Sequence, residues 1–146
     1  MNIKTLVAVR SGWTRVRNKN IRPFADSNLL EIKLKQLKRI TVLNGIVENS
    51  NDDSMLKIAE RYGCETVKRD EIYASNNVSM SDVYKNMAEN FNGDIIAYIN
   101  VTNPLLHDDT ITRAINMYRE NLDKFDSLNS AHLIKEFLFI VFISLS

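Results

Sequence analysis

Short apolar runs alternate with amphipathic helical patterns along this chain, and that alternation leaves few folds open. Residues 5–9 (TLVAV) are almost continuously apolar, as a strand buried on both faces of a parallel sheet reads. Leu30, Leu34, Leu37 and Ile40, with lysines and Arg39 between them, have the spacing of a helix with one apolar face, and Ser27 or Asn28 can cap it. Ile46 and Val47 mark a second strand. Met55, Ile58, Ala59 and Tyr62 mark a second helix, which Gly63 can end. The pattern then repeats: a strand at residues 64–67, a helix at 79–91 with Val83, Met87 and Phe91 on one side, and a strand at 94–99 (DIIAYI). A last helix, capped by Asp108 or Asp109, runs through Ile111, Ala114, Ile115 and Tyr118. Strands joined by helices imply right-handed crossovers that cover both faces of a parallel sheet. The expected fold is therefore an α/β doubly wound, mostly parallel sheet with the first strand at its centre.

The chain has 146 residues, two prolines, four glycines and no internal repeat or linker-like stretch, so one core is expected. Its formal charge of +1 offers no overall field for nucleic acid or anionic lipid, and neither partner is expected. The one cysteine, Cys64, cannot form an intramolecular disulfide, and a reducing, cytoplasmic setting is expected. Cys64 reads as a small apolar residue without a catalytic role. The apolar residues 137–145 (FLFIVFISL) are fewer than the roughly twenty that cross a bilayer. His107 and His132 stand apart from any metal-ligand pattern, and His107 reads as a loop or cap residue.

Anion chemistry must then come from a local cluster. From residue 10 to residue 28 the chain is polar and aperiodic, and it carries Arg10, Arg15, Arg17, Lys19 and Arg22. Ligands of open α/β sheets bind beyond the carboxyl ends of the strands, which is where this loop begins. Ser11 and Gly12 allow a tight turn with amides aimed at an anion, while Arg10, Arg15 and Lys19 supply the charge a nucleoside triphosphate needs. Lys19 and Asn20 can clamp the transferred phosphoryl group. A solvated basic loop is the competing reading. There is no G-x-x-x-x-G-K-[ST] and no G-x-G-x-x-G, which disfavours kinase-type and dinucleotide-binding readings.

Residues 9–23, VRSGWTRVRNKNIRP, resemble the A-R-x-G-S-K-R-x-x-x-K-N-I-x-P signature of the cytidylyltransferases that activate sialic acid and related nonulosonic acids. Arg10, Gly12, Arg15, Lys19, Asn20 and Pro23 keep the pattern, whereas Trp13 stands where a serine is usual. The resemblance continues at Arg69 and Ala74, at Ser79, Met80, Ser81 and Asp82 opening a helix, and at residues 100–105 (NVTNPL). It implies CTP contacts from Arg10, Ser11, Gly12, Arg15, Lys19, Asn20, Arg69, Ser79, Asn100 and Thr102, with Arg10 and Lys19 acting in catalysis. Asn51 falls where the family commonly has an aspartate, so residues 49–51 are expected to serve only as a turn. Taken without the resemblance, Arg69 reads as a surface ion-pair partner of Asp70 or Glu71. The stretch from Asn103 to Asp108 equally reads as a proline turn with a helix cap.

The resemblance implies a Rossmann-like nucleotide-diphospho-sugar transferase architecture, incomplete at the C-terminus. Residues 1–138 would be the N-terminal part of the CTP-binding domain and residues 139–146 an apolar tail of unassigned role. Residues 125–131 (FDSLNSA) are similar to the family's next strand. The implied reaction transfers a cytidylyl group from CTP to an acidic nine-carbon sugar, giving a CMP-sugar and pyrophosphate for cell-surface glycan or lipopolysaccharide synthesis. Mg²⁺ is the implied cofactor, with ligands beyond this chain, and a homodimer is the implied assembly. A catalytically inactive nucleotide-binding fragment and a 3-deoxy-manno-octulosonate cytidylyltransferase are the alternatives.

Overall fold

The computed structural model describes residues 1–12 and 16–131. The elements follow in the order β1 (Ile3–Ala8), α1 (Leu29–Lys38), β2 (Gly45–Ser50), α2 (Asp53–Arg61), β3 (Glu65–Lys68), α3 (Glu71–Ala74), α4 (Met80–Glu89), β4 (Ile95–Tyr98) and α5 (Asp108–Glu120). The four strands among the described residues lie in the order β3-β2-β1-β4, all parallel, with β1 inside the sheet.

That order follows from how the chain winds. It steps outward from β1 to β2 to β3, then returns past β1 to lay down β4 on its other side. Crossovers of one hand run in opposite directions place their helices on opposite faces. Ile3 and Val7 of β1 accordingly pack with Leu30, Leu34 and Leu37 of α1, Met55 and Ala59 of α2, and Ile111 and Ile115 of α5. Leu6 of β1 and Val47 of β2 face the other way, onto Val83 and Met87 of α4. Each such aliphatic side chain contributes about 1.5–3 kcal/mol by leaving water, so the twofold alternation of β1 fixes which helix covers which face. Within β1, the buried Thr5 hydroxyl donates to Ala97 O at 2.8 Å, adding a side-chain tie between the two strands that flank the reversal.

The helix ends are set locally. Asn28 accepts from Glu31 N at 2.9 Å, Asp52 from Ser54 N at 2.8 Å and Met55 N at 3.2 Å, and Ser79 from Asp82 N at 3.2 Å, each satisfying an amide without a helical partner. Gly63, at φ +66, closes α2: its amide reaches Glu60 O at 2.9 Å and that of Cys64 reaches Ala59 O at 3.1 Å, the paired bonds of a Schellman ending.

Three expectations are corrected. The N-cap position of α5 is His107, without a side-chain cap bond. Asp108 lies in the first turn, where its carboxylate is taken by Gln36 Nε2 of α1 at 2.9 Å and by Nε of Arg39, the C-cap of α1, at 3.0 Å. Residues 125–131 form no strand; Phe125 and Leu128 are exposed, and no described strand pairs with the segment. The short helix α3 occupies a stretch from which no helix was expected. No described helix is long and apolar enough to cross a membrane.

Candidate functional site

The strand order reverses between β1 and β4, and there the two following loops must diverge, which opens a crevice at the carboxyl edge of the sheet. A cleft of about 300 Å³ occupies this position. Arg10, Lys19, Asn20, Arg69, Asn100 and Thr102 line it, opposite a wall that includes Tyr73, Met80, Val83, Met87 and Tyr98. Among the described residues its lining has three cationic side chains and no carboxylate, which favours an anionic ligand.

β1 delivers the first of these groups. The amide of Val9 still bonds Asn49 O at 3.1 Å, and the next residue, Arg10, leaves the sheet. Its guanidinium donates to the carbonyls of Ala74 and Ser75 and to Asn76 Oδ1, the last at 3.1 Å, so it spans the cleft entrance to the turn between α3 and α4. Ser11 is held by Asn51: its amide donates to Asn51 Oδ1 at 3.1 Å, and its hydroxyl accepts from Asn51 Nδ2 at 3.0 Å. Gly12 follows at φ +88 with no described atom near where a Cβ would stand. Glycine is favoured there by the backbone conformation. Trp13 and Arg15 lie outside the described residues.

The loop returns through a turn in which Asn18, at φ 52, accepts from the amides of Ile21 and Arg22 at 3.1 and 2.9 Å. Lys19 and Asn20 are the central residues of that turn. Asn20 is buried; its amide side chain donates to Arg10 O at 3.5 Å and its carbonyl accepts from Leu30 N at 2.9 Å. It clasps the returning loop to both the end of β1 and the start of α1, which holds Lys19 at the cleft.

Arg69 does not form the surface ion pair expected of it without the family. It is buried, donating from Nε to Asn49 Oδ1 at 2.6 Å and from Nη2 to Asn49 O at 2.9 Å, and Nη2 also contacts the Met87 sulfur at 3.6 Å. Burial pushes its pKa below the usual arginine value; Tyr98 opposes this and the charge of Arg10 adds to it. The guanidinium remains protonated, so the protein stores a desolvated cation at the cleft floor. The turn expected at residues 49–51 is also corrected. Asn49 and Ser50 complete β2, and Asn49 and Asn51 orient Arg69 and Ser11.

Asn100 and Thr102 lie on the loop after β4 and line the cleft. That loop is braced from α1. Lys33, fully buried, donates to Asn103 O at 2.9 Å and to Gln36 Oε1 at 2.6 Å, and Gln36 donates onward to the carbonyl of Leu106. Ser79 stands apart from this group. Its hydroxyl caps α4 and donates to Asp82 Oδ2 at 2.7 Å, and the neighbouring Met80 lines the cleft. Cys64 is half-buried, and burial pushes its thiol up to about 11, consistent with an inert role. Among the described residues no three His, Cys, Asp or Glu side chains converge as metal ligands do.

A parallel doubly wound sheet with a cationic cleft at its switch point defines an α/β protein of the class whose ligands bind at that edge. The cytidylyltransferase family model matches residues 5–137, and the chain belongs to that family. It is 24% identical over 126 residues to the pseudaminic acid cytidylyltransferase of Campylobacter jejuni, covering 82% of this chain and 54% of that one. Its fold is similar to that of CMP:2-keto-3-deoxy-manno-octonic acid synthetase solved in complex with CTP, with a TM-score of 0.71 at 10% identity over 84% of this chain and 49% of that one. A cytidylyltransferase from Leptospira borgpetersenii superposes with a TM-score of 0.68 at 24% identity, covering 83% and 50% of the two chains. The chain thus spans about half the length of these relatives.

Proposed function

We propose that this chain provides the CTP-binding half of a cytidylyltransferase that activates an acidic sugar of the nonulosonic, sialic-like type. The observation that carries the proposal is the meeting of Arg10, Lys19 and Arg69 around one cleft, in a chain of this family. The pseudaminic acid cytidylyltransferase among its relatives supports a nonulosonic substrate. In the proposed reaction the sugar's anomeric hydroxyl oxygen bonds to the α-phosphorus of CTP. The bond from that phosphorus to the bridging oxygen breaks, pyrophosphate leaves with the electron pair, and the hydroxyl proton passes to solvent.

Arg10 and Lys19 would neutralise charge as it moves to the leaving pyrophosphate, and positioning of this kind supplies most of the catalysis in phosphoryl chemistry. Arg69, Asn20, Asn100 and Thr102 would hold the nucleotide. Arg15, outside the described residues, and Ser11 and Gly12 complete the proposed loop contacts, and Ser79 contributes through the start of α4. Mg²⁺ is proposed as the cofactor, with its protein ligands outside the residues of this chain. A cytoplasmic setting and a homodimeric assembly are also part of the proposal.

A second reading takes 3-deoxy-manno-octulosonate as acceptor, the acid of the synthetase whose fold is similar. Pyrophosphate release from CTP, measured separately with N-acetylneuraminate, pseudaminate and 3-deoxy-manno-octulosonate, tests the acceptor. Release with a nine-carbon acid alone supports the first reading, and release with the octulosonate alone replaces it with the second. A chain that binds CTP but turns over none of them is a nucleotide-binding module only.

A further inference from the structure

At the end of β2 the side chain of Asn51 is buried and turned away from its own turn, toward the loop that leaves β1. Its Oδ1 accepts from Ser11 N at 3.1 Å, and its Nδ2 donates to Ser11 Oγ at 3.0 Å and to both carboxylate oxygens of Glu71, at 3.2 and 3.0 Å. The amide's orientation is fixed by chemistry: the Ser11 N–H can only donate and the Glu71 carboxylate can only accept. Its backbone is committed as well, since Asn51 O accepts from Lys68 Nζ at 2.7 Å.

Glu71 opens α3, and the carbonyl of Ala74 at the other end of that helix accepts from Arg10. The contacts therefore close a ring: Arg10, Ser11, Asn51, Glu71, Ala74 and back to Arg10. Its hydrogen bonds join the loop after β1 to the end of β2 through Ser11 and Asn51, the end of β2 to α3 through Asn51 and Glu71, and the same loop to α3 through Arg10 and Ala74, and Arg10 and Ser11 are two of the groups proposed to receive CTP. An aspartate at position 51 would lose both donors and set a second carboxylate against Glu71, where like charges at this distance repel strongly.

We infer that Asn51, oriented by Glu71, is a positioning residue of the nucleotide site, fixing the backbone of Ser11 and thereby the course of the loop from Arg10 to Gly12 before any ligand arrives. The inference rests on the CTP reading for its functional consequence and on the ring alone for its structural one. A preformed loop raises affinity because ordering it is not charged against binding.

The test pairs CTP titration with amide hydrogen exchange at Ser11 in the 146-residue chain, for wild type, Asn51→Asp, Asn51→Asp/Glu71→Gln, Glu71→Gln and Glu71→Leu. Expected results are CTP binding weakened about tenfold and Ser11 exchange accelerated about tenfold in Asn51→Asp, with at least a threefold recovery of both in the double variant. Glu71→Gln should match wild type, because its amide oxygen still accepts from Asn51, and Glu71→Leu should lose about threefold in both readouts. The Glu71 variants lie at an exposed position and report even where Asn51→Asp fails to fold. Asn51→Asp or Glu71→Leu behaving as wild type in exchange overturns the inference. Failure of the wild type to bind CTP overturns the functional reading instead, and the exchange data alone then decide the ring.

Discussion

Lys33 Nζ, fully buried on α1, lies 2.9 Å from Asn103 O on the loop that follows β4. One cation thus ties the first helix to the segment carrying Asn100 and Thr102. Its other partner, Gln36 Oε1 at 2.6 Å, is neutral, and burial pushes the lysine's pKa below its usual value while Asp108 opposes this. Lys33→Met leaves Gln36 Oε1 unpaired and Asn103 O with only the long 3.5 Å bond from Leu106 N, and is expected to cost about 1–3 kcal/mol of stability. Chemical denaturation measures this. Enhanced proteolysis at residues 100–106 in the variant should accompany it.

Arg69 makes two directed bonds to Asn49, a geometry that an ammonium group cannot reproduce. Arg69→Lys is expected to destabilise the fold by about 1–3 kcal/mol through the unpaired Asn49 acceptor and to weaken CTP binding about tenfold. A thermal melt and a CTP titration check the two effects independently.

Glu48 is fully buried on β2, and neither of its carboxylate oxygens has a hydrogen-bond partner. Burial first, and the charge of Asp52 second, push its pKa up from 4.5 to about 8. The folded state therefore holds a proton that the unfolded state releases, so stability should fall as pH rises from about 4.5 to about 8 and level off above. Glu48→Met should flatten this dependence and stabilise the protein at pH 8 by on the order of a few kcal/mol. Urea unfolding at pH 5, 6.5 and 8 decides it: an unchanged slope in the variant would show that Glu48 is not the titrating group.

Gly12 at φ +88 has no described atom near its missing Cβ, so Gly12→Ala tests chiefly the backbone conformation. A cost of about 1 kcal/mol is expected, seen as a roughly fivefold loss in CTP affinity if the loop must keep this shape to bind.

The sheet and the position of the cleft were legible because both depend on local pattern. The buried run at residues 5–9 and the alternation of periods fixed β1 at the centre, and a polar loop leaving a central strand falls at the switch point for topological reasons. Lys33 was legible only in part: it lies three residues from Leu30 and four from Leu37, on the helix's apolar face, but its partner on the loop after β4, Asn103, is 70 residues away along the chain. Asn51 carried no such signal, since its contacts join loops 40 residues apart. The same holds for Asp108, whose cap-like sequence is overridden by Gln36 of α1 and by Arg39 at its C-cap. Residues 125–131 resemble the family's next strand, yet pairing decides strands, and no partner among the described residues offers it.

The most direct measurement is calorimetric titration of the purified 146-residue chain with CTP, in wild type and in Lys19→Ala and Arg10→Ala. The cleft predicts saturable binding by the wild type and a loss of at least about tenfold in each variant, as expected when a charge-assisted contact to phosphate is removed. Absence of CTP binding by a wild-type chain with a cooperative thermal transition, or binding that neither substitution weakens, would contradict it.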